Sequence, residues 1–286
     1  MGPGLKPRTS QSNGAIVTDG PILRLVGLRK SFGPQRVLDG LTLDIQPAKT
    51  TVIMGPSGCG KSVTLKHMLG LMRPDAGEVY YDGRRVDQLR ERDWLPIRLE
   101  VGLLFQMGAL FDSMTVAENV EFPLREHTPL APRDRAARIA EALHVVDMLG
   151  YEKRLPSELS GGQRKRVALA RSIVLRPRMV LYDEPTTGLD PIRADGIDQL
   201  ILKLQREFGV TNVVVTHDLT SARKVADHAV VMLDGKVAAS GRFEEVARSG
   251  DPRVQHFLTG TYVKSEDIPE AVVAAVDPAV LLPEKQ

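Results

Sequence analysis

The fold is indicated most strongly by a glycine-rich loop, Gly55-Pro56-Ser57-Gly58-Cys59-Gly60-Lys61-Ser62. Its glycines allow backbone N–H groups to turn inward and form an anion-binding nest at the start of a helix. With this spacing Lys61 reaches the β- and γ-phosphates of a nucleotide, and the Ser62 hydroxyl ligates Mg²⁺. The apolar run Thr50–Met54 before the loop predicts a buried strand, and Ser62–Leu71 after it predicts a helix. A phosphate loop at such a junction predicts ATP binding, with every residue of the loop beside the nucleotide.

The composition is that of an ordinary globular protein with a sizeable core, with 42% hydrophobic residues in a chain of 286. The 38 basic and 36 acidic residues leave a net charge of +2, which excludes the strong positive field of many nucleic-acid-binding proteins. Since Cys59 is the only cysteine, no disulfide can form within the chain, and a reducing compartment is expected. A reactive thiol at Cys59 is the less favoured interpretation, because the variable positions of such loops accept many residues.

No membrane-spanning pattern is present in the sequence. A span needs about 18–20 apolar residues, whereas the longest purely apolar run near the tail is only Ala271–Val276. The first twenty residues are rich in Gly, Pro, Ser, Thr and Asn and lack a central apolar segment. Residues 1–20 are therefore expected to be a disordered leader rather than a signal peptide, and the chain is not expected to cross a bilayer.

The order of apolar runs predicts an α/β fold. Short strand-like runs separated by Gly, Pro and Asp turns come first, at Ile22–Leu28, Val37–Ile45, Thr50–Met54 and Glu78–Tyr81. Between about residues 86 and 160 the pattern is more helical, and Arg133–Leu149 has apolar residues at three- and four-residue spacing up to Gly150. Further along, apolar runs alternate with helical segments, as in a parallel sheet flanked by helices, at Met179–Tyr182, Asn212–Thr216 and Ala229–Leu233.

Two adjacent acids follow the predicted strand Met179–Tyr182. Asp183 is expected across from the phosphate loop, where its carboxylate holds the hydration shell of Mg²⁺. Glu184 is then the candidate base that accepts a proton from, or orients, the water attacking the γ-phosphate. An Asp-Glu pair after a strand is ordinarily a solvated loop, but the complete phosphate loop in the same chain favours the catalytic interpretation.

Three further residues at strand ends are candidate nucleotide contacts. His217 follows the strand Asn212–Thr216, at the edge where open α/β sheets bind ligands, and is expected at the γ-phosphate. Gln106 follows the apolar run Val101–Phe105 and offers its amide to Mg²⁺ or to the attacking water. Phe32 precedes the loop and is placed to stack on adenine, with packing at a strand end as an equal alternative. Each of these residues is a weak indication when taken alone.

A second anion-binding site is predicted at Leu159-Ser160-Gly161-Gly162-Gln163. A serine followed by two glycines opens a helix, so backbone N–H groups again point toward an anion. One chain cannot place both sites on one ATP if the helical segment holds them apart. The economical arrangement is a head-to-tail twofold dimer, in which each ATP lies between the phosphate loop of one subunit and Ser160–Gln163 of the other.

In this order the motifs resemble those of the ATP-binding cassette (ABC) ATPases, over about Ile22–Gly241, including a D-loop at Gly188-Leu189-Asp190. The resemblance implies a P-loop NTPase fold of ABC type, with a mixed core sheet, an antiparallel β region and a helical subdomain at about 86–160. The cassette would cover residues 21–260. A homodimer would sandwich ATP, with Asp190 also reaching the nucleotide of the other subunit, and its closure on ATP would drive a membrane partner. The expected catalytic residues are Lys61, Gln106, Glu184 and His217, and the expected Mg²⁺ ligands are Ser62, Gln106 and Asp183.

Within that family the chain is similar to the ATPases of Mla/Mce-type phospholipid transporters, at Phe105–Val120, Arg164–Arg171, Asp183–Pro191 and Asp251–Gly260. Gln163 departs from the Met that the lipid-transport relatives often carry. The resemblance implies a subunit peripheral on the cytoplasmic face of the inner membrane, bound to integral-membrane permease subunits and not to nucleic acid. It leaves room for a small regulatory subunit and a lipid-binding substrate protein.

Alternatives stay open for the substrate and for the tail. The chain also fits the ATPase of an importer or exporter for another substrate, such as amino acids or metals, and less well a non-transport cassette protein acting on ribosomes or DNA. A role on ribosomes or DNA is disfavoured because the sequence has one cassette and neither long coiled coils nor zinc motifs. A simple P-loop kinase is excluded by the motif Leu159–Gln163. Within the tail at 261–286, Ser265–Val276 is either a short amphipathic helix that packs on a neighbouring subunit or a frayed terminus.

A partner surface is predicted along Gln106–Glu121. Its apolar side chains are too many for a fully solvated connection; they are Met107, Leu110, Phe111 and Met114. Each is expected either in the core of the helical part or in a groove that receives a permease helix.

Overall fold

The structure, a computed structural model, describes residues 20–260. The strands are β1 (Leu23–Phe32), β2 (Gln35–Ile45), β3 (Thr50–Met54), β4 (Ala76–Tyr81), β5 (Arg84–Arg85), β6 (Val101–Leu104), β7 (Met179–Asp183), β8 (Thr211–Thr216), β9 (His228–Leu233) and β10 (Lys236–Gly241). The helices are α1 (Lys61–Met68), α2 (Leu95–Leu99), α3 (Val116–His127), α4 (Pro132–Val145), α5 (Gly161–Ile173), α6 (Pro191–Phe208), α7 (Leu219–Val225), α8 (Phe243–Val246) and α9 (Pro252–Thr259). Short 3₁₀ turns lie at Glu91–Asp93 and Pro156–Glu158.

Two sheets form the framework. One is a four-stranded antiparallel sheet with strand order β2-β1-β4-β5, in which Leu23 of β1 lies opposite Ile45 on one side and Tyr81 on the other. The other has six strands in the order β10-β9-β3-β8-β7-β6, parallel from β9 to β6, with β10 antiparallel at its edge. Because the carboxyl ends of parallel strands meet at one edge, the segments that follow β3, β6, β7 and β8 all emerge there.

Side chains of the six-stranded sheet alternate between two cores. In β8, Val214 packs into a core shared with α3 to α7, whereas Val213 and Val215 pack toward α1 and the antiparallel sheet. The same alternation in β3 sends Val52 to the first core and Ile53 to the second. Since both faces are covered, these strands are continuous apolar runs, which is why they were recognisable in the sequence.

The helical part of the molecule begins later than the expected position near residue 86. β6 lies within the expected range and pairs with β7 in the six-stranded sheet, because Val101 and Leu104 are buried there. The helices after β6 pack together, with Val120 of α3, Leu143 of α4 and Leu169 of α5 in one buried cluster. The helical layer therefore consists of α3 and α4, and is completed by α5 beyond residue 160.

Helix α1 ends at Met68, not at Leu71 as the apolar pattern indicated. The cause is Gly70, which adopts φ +61, a left-handed conformation that ends a helix at low cost only for glycine. A Cβ on Gly70 would lie 2.1 Å from the Trp94 ring. The glycine thus both ends the helix and admits the indole.

Helix α4 ends at Val145, before the expected stop at Gly150. Asp147 adopts φ +57, so the chain leaves the helix at that point. Val146 and Met148 after the helix are nonetheless buried. Because these side chains of the following turn still reach the core, the apolar spacing extends past the end of the helix. Periodicity alone therefore does not predict where the helix ends.

No helix within residues 20–260 combines the length and the apolar character needed to span a membrane. The leader predicted at 1–20 lies outside the described residues except for Gly20, and the tail with Ser265–Val276 lies wholly outside them. Both stay predictions.

Candidate active site

The phosphate loop lies where the sequence placed it, between β3 and α1. Gly60 caps the start of α1 with φ +104, and a Cβ there would lie 2.7 Å from Leu38 Cδ2 and 2.9 Å from the Val37 carbonyl oxygen. Gly58 adopts φ +83 with open space at its Cβ position. The loop backbone is thus held in conformations that favour glycine, and its open side is free for an anion.

Lys61 is the first residue of α1 and is nearly buried. Its Nζ donates to the carbonyl oxygens of Gly55 at 2.7 Å and Pro56 at 2.9 Å. An ammonium group has three donors, so one donor remains for an anionic oxygen at the loop. The lysine is therefore held at the place where the β- and γ-phosphates are expected.

Ser62 and Asp183 meet across the loop and the end of β7. The Ser62 hydroxyl donates to Asp183 Oδ1 at 3.1 Å. Burial raises the pKa of the Asp183 carboxyl, and the bond from Ser62 and the charge of Lys61 oppose that rise. A partly buried carboxylate beside a hydroxyl is a set of hard oxygen donors that suits a divalent cation. Within residues 20–260 no group of three or more His, Cys, Asp or Glu side chains could hold a metal.

Gln106, the third expected Mg²⁺ ligand, lies two residues after β6, so it emerges at the same sheet edge as Asp183. Its side chain is exposed, and among the described residues no hydrogen bond joins it to Ser62 or Asp183. The fold brings the backbone of this residue to the correct edge without forming the contact.

Glu184 and His217 are adjacent because they follow the neighbouring strands β7 and β8. His217 Nδ1 lies 2.8 Å from Glu184 Oε2, and the Thr187 hydroxyl donates to the same oxygen at 3.0 Å. Glu184 adopts φ +51, which is unusual for a residue with a side chain. Its N–H donates to the Val215 carbonyl at 2.9 Å. The candidate base is thus fixed by its backbone and by its carboxylate.

Helix α5 opens with a reciprocal cap. The Ser160 hydroxyl accepts from the Gln163 N–H at 3.3 Å, and Gln163 Oε1 accepts from the Ser160 N–H at 2.9 Å. Within residues 20–260, a Cβ on Gly161 would meet nothing closer than Leu189 Cδ2 at 3.8 Å, whereas one on Gly162 would press on Arg193 at 3.3 Å. Gly162 is therefore explained by packing in the monomer, and Gly161 is not.

The remaining candidates occupy distinct settings. Asp190 caps α6, where Oδ1 accepts from the Arg193 N–H at 3.0 Å. Phe32 is 46% exposed, with Lys30 Nζ 5.8 Å from its ring centroid, so it does not pack in a core.

Cys59 is buried, and burial raises the pKa of its thiol. A protonated, buried thiol does not favour reactivity.

Lys165 was missed by the sequence analysis, although it contacts the site. It lies on α5 with 6% of its surface exposed, and its Nζ donates to the carbonyl oxygens of Glu184, Pro185 and Thr187. Burial lowers the pKa of its ammonium to about 8. Its four-residue spacing from the buried Leu169 was the available signal, because it places Lys165 on the buried face of the helix.

A match to a protein family decides the classification. Residues 38–187, which include the phosphate loop, the start of α5 and the Asp183-Glu184 pair, match the family described as ABC transporter. The chain belongs to the ABC transporter family. The predicted family and ATP hydrolysis are thereby confirmed, and the predicted ABC-type fold agrees with the two sheets and the helical layer.

Curated relatives from this family align over most of their length. The chain is 41% identical over 239 residues to the intermembrane phospholipid transport system ATP-binding protein MlaF of Haemophilus influenzae, covering 84% of this chain and 90% of the relative. It is 39% identical over 259 residues to the probable ribonucleotide transport ATP-binding protein mkl of Mycobacterium leprae, covering 89% of this chain and 75% of the relative.

Solved structures of ABC proteins share the fold. A dimeric post-hydrolysis state of the ATP-binding cassette MJ0796 bound to ADP and Pi superposes with a TM-score of 0.71 at 34% identity, covering 77% of this chain and 98% of that one. The cbiO1 protein of Clostridium perfringens, part of the ABC transporter complex cbiONQ, superposes with a TM-score of 0.74 at 28% identity, covering 84% of this chain and 100% of that one. The chain is an ATP-binding, ATP-hydrolysing subunit of an ABC transporter.

Proposed function

We propose that this chain powers the movement of phospholipids between membranes, as a homodimer bound to a separate permease. The observation that carries the proposal is the meeting of Ser62 with Asp183 and of Glu184 with His217 at the sheet edge that holds the phosphate loop. The phospholipid assignment rests on similarity to MlaF over 90% of that protein's length.

In this proposal Mg²⁺ is held by Ser62, Asp183 and Gln106. The Ser62 hydroxyl oxygen and Asp183 Oδ1 are 3.1 Å apart, so both hard oxygen donors would be available to one divalent ion. When bound, the ion neutralises charge on the β- and γ-phosphate oxygens. Lys61 places a positive charge on the same phosphates, and the N–H groups of the loop donate to them. Phe32, exposed at the end of β1, is assigned to the adenine ring.

Glu184 acts as the base. Its Oε2 is occupied by Thr187 and His217, so the proton of the attacking water passes to Oε1. As the proton leaves, the water oxygen bonds to the γ-phosphorus, and the bond from that phosphorus to the bridging oxygen breaks, with the electron pair departing on ADP. His217, which is bonded through Nδ1 to the carboxylate, keeps Glu184 aimed and presents its outer nitrogen to the γ-phosphate.

We assign Ser160–Gln163 and Asp190 to the nucleotide of the opposite subunit. Gly161 supports this assignment, because no packing contact within residues 20–260 requires a glycine there. The N–H groups at the start of α5 are suited to donate to a phosphate of the nucleotide bound by the opposite subunit. A twofold dimer supplies that phosphate at both sites, and the similar cassette MJ0796 is itself dimeric.

The permease is proposed to dock on the segment after β6. Met107 is 86% exposed and Phe111 is 41% exposed, so these two side chains are available to a partner. Leu110 instead packs against the core of the helical part. The segment is ordered by the buried Asn119, which exchanges hydrogen bonds with the Phe111 backbone at 2.8 and 3.1 Å. A fixed apolar surface of this kind suits a partner helix.

The assembly places the chain on the cytoplasmic face of the inner membrane, held there by the permease. A small regulatory subunit and a lipid-binding substrate protein complete the complex in this proposal. The similarity to mkl makes ribonucleotide transport a second candidate, because that alignment is longer, at 259 residues.

Transport by a reconstituted complex tests the proposal. The chain is purified with its membrane permease, placed in vesicles containing fluorescent phospholipid, and assayed for MgATP-dependent transfer to acceptor vesicles. We expect transfer by the wild type and by Leu149→Glu, a control at another exposed apolar residue. Met107→Glu should retain ATPase activity and lose transfer. Transfer that is unchanged without the ATPase, or uptake of ribonucleotides without any lipid transfer, contradicts the phospholipid assignment.

A further inference from the structure

Lys165 makes an unusual set of contacts for a lysine. Its Nζ donates to three backbone carbonyls on one short segment, at 3.2 Å to Glu184, 2.7 Å to Pro185 and 2.8 Å to Thr187. These bonds use all three donors of the ammonium group, and no carboxylate is among the acceptors. A buried cation is thus devoted to the backbone around the candidate base.

That backbone needs external support. Glu184 adopts φ +51, a conformation that is unfavourable for a residue with a side chain and persists only where the surroundings impose it. Three carbonyl oxygens that point to one place also repel each other, and a cation between them removes the repulsion. Because Thr187 donates to the Glu184 carboxylate, Lys165 fixes both residues of that hydrogen bond.

Lys165 also connects this segment to the start of α5. It lies five residues after Ser160, about 7.5 Å along the helix axis at 1.5 Å per residue. The helix is continuous from Gly161 to Ile173 and packs into the core along one face, so a displacement of its first turn is transmitted to the ammonium group. A shift of about 1 Å would lengthen the three bonds beyond hydrogen-bonding distance.

The chemical nature of the side chain supports a functional role. Burial lowers the pKa of Lys165 to about 8, so the fold retains a charge at a position where an apolar side chain of equal length would avoid desolvation. Compared with an apolar side chain at the same position, a buried charge often leaves the free energy of unfolding unchanged or lowers it. Stability alone therefore does not account for a lysine here.

We propose that Lys165 is a positioning residue for Glu184, which ties the geometry of the base to the position of α5. The proposal rests on the proposed function, in which the first turn of α5 contacts the nucleotide of the opposite subunit. Closure on that nucleotide then sets the Glu184–Thr187 segment in the same chain. Each site thus gains its base geometry when the neighbouring site is filled.

The test compares Lys165→Met with Lys203→Met. Both changes remove a lysine that donates to backbone carbonyls, but Lys203 donates to Val145, outside the site. Lys165→Met should lower kcat by about 10- to 100-fold, as misplacement of a catalytic group by about 1 Å does, and should change the KM for ATP less than threefold. Lys203→Met should keep the wild-type kcat. Lys165→Arg, which keeps a donating cation, should recover part of the loss.

A second measurement separates positioning from a general structural role. In the Glu184→Gln background, Lys165→Met should cause no further loss of residual single-turnover hydrolysis, since the group it positions is no longer a base. An equal fold-loss in both backgrounds, or a kcat within twofold of wild type, overturns the proposal. If Lys165→Met does not fold, Lys165→Gln carries the same comparison. Wild-type turnover in Glu184→Gln itself would instead overturn the assignment of the base, so the two failures are distinguishable.

Discussion

Replacing Glu184 by glutamine should remove the base while leaving the geometry of the site in place. The two donors to this carboxylate, Thr187 Oγ1 and His217 Nδ1, both reach Oε2. A glutamine can turn its single carbonyl oxygen to that position and accept both bonds. The change therefore removes basicity at the other oxygen and little else.

The expected loss follows from the role of a general base. General acid–base catalysis contributes about 10²- to 10⁴-fold, so kcat for ATP should fall by that factor, an increase of about 3–5 kcal/mol in the barrier. ATP affinity should stay within about threefold of wild type, because Lys61, Ser62 and Asp183 are unchanged. Unfolding should be little affected, since the hydrogen bonds persist.

Steady-state ATPase activity with MgATP, equilibrium ATP binding and thermal unfolding together check this expectation. Glu207→Gln, on the exposed side of α6, makes the same chemical change away from the site and should behave as wild type. A Glu184→Gln variant that hydrolyses ATP at the wild-type rate refutes the assignment of the base. A variant that loses ATP affinity in proportion to its activity would show that Glu184 serves binding instead.

Two further predictions concern the loop and the stability of the fold. Lys61→Ala should weaken ATP binding by about 10- to 100-fold, the worth of a charge-assisted bond, and titration calorimetry showing undiminished affinity would exclude that role. Asp198→Asn should raise the free energy of unfolding at pH 7 by up to about 3 kcal/mol, because burial raises the pKa of this carboxyl from 3.8 to about 6. The unfolded chain releases this proton first, so the wild type loses stability relative to the variant as the pH rises from about 4 to 6. A difference in unfolding free energy that stays constant between pH 4 and 7 would contradict this assignment.

Local chemistry made much of the site recognisable in advance. The residue spacing of the loop from Gly55 to Ser62 is enough to predict phosphate binding. Asp183, Glu184 and His217 follow strands that are continuous apolar runs, because both faces of the sheet are covered. Parallel strands bring their carboxyl ends together, so the meeting of Glu184 with His217 follows from topology. The cap at Ser160 is equally local, since its partner Gln163 is three residues away.

Features that depend on tertiary packing cannot be predicted from the local sequence in the same way. Lys165 is polar in the sequence, and only the fold shows that three carbonyls gather around its ammonium group. Gly70 ends α1, and the Trp94 indole that packs over this glycine comes from a separate segment. The end of α4 was hidden because Val146 and Met148 stay buried beyond the helix. For Lys165 and for the residues that follow α4, contacts between separate segments determine where the side chain lies, and the local sequence does not indicate them.

If each ATP is held between two copies of this chain, dimerisation must depend on ATP. Sedimentation velocity is measured on Glu184→Gln with and without MgATP, and then with Gly161→Asp added to the same chain. Among the described residues of the same chain, a Cβ at Gly161 meets nothing closer than 3.8 Å, so the second change should leave the monomer folded and able to bind ATP. We predict that MgATP converts Glu184→Gln from monomer to dimer, whereas the double variant binds one ATP per chain and stays monomeric, because the aspartate repels the phosphates of the opposite subunit. An undiminished dimer in the double variant, or a Glu184→Gln chain that stays monomeric with saturating MgATP, would contradict the shared site.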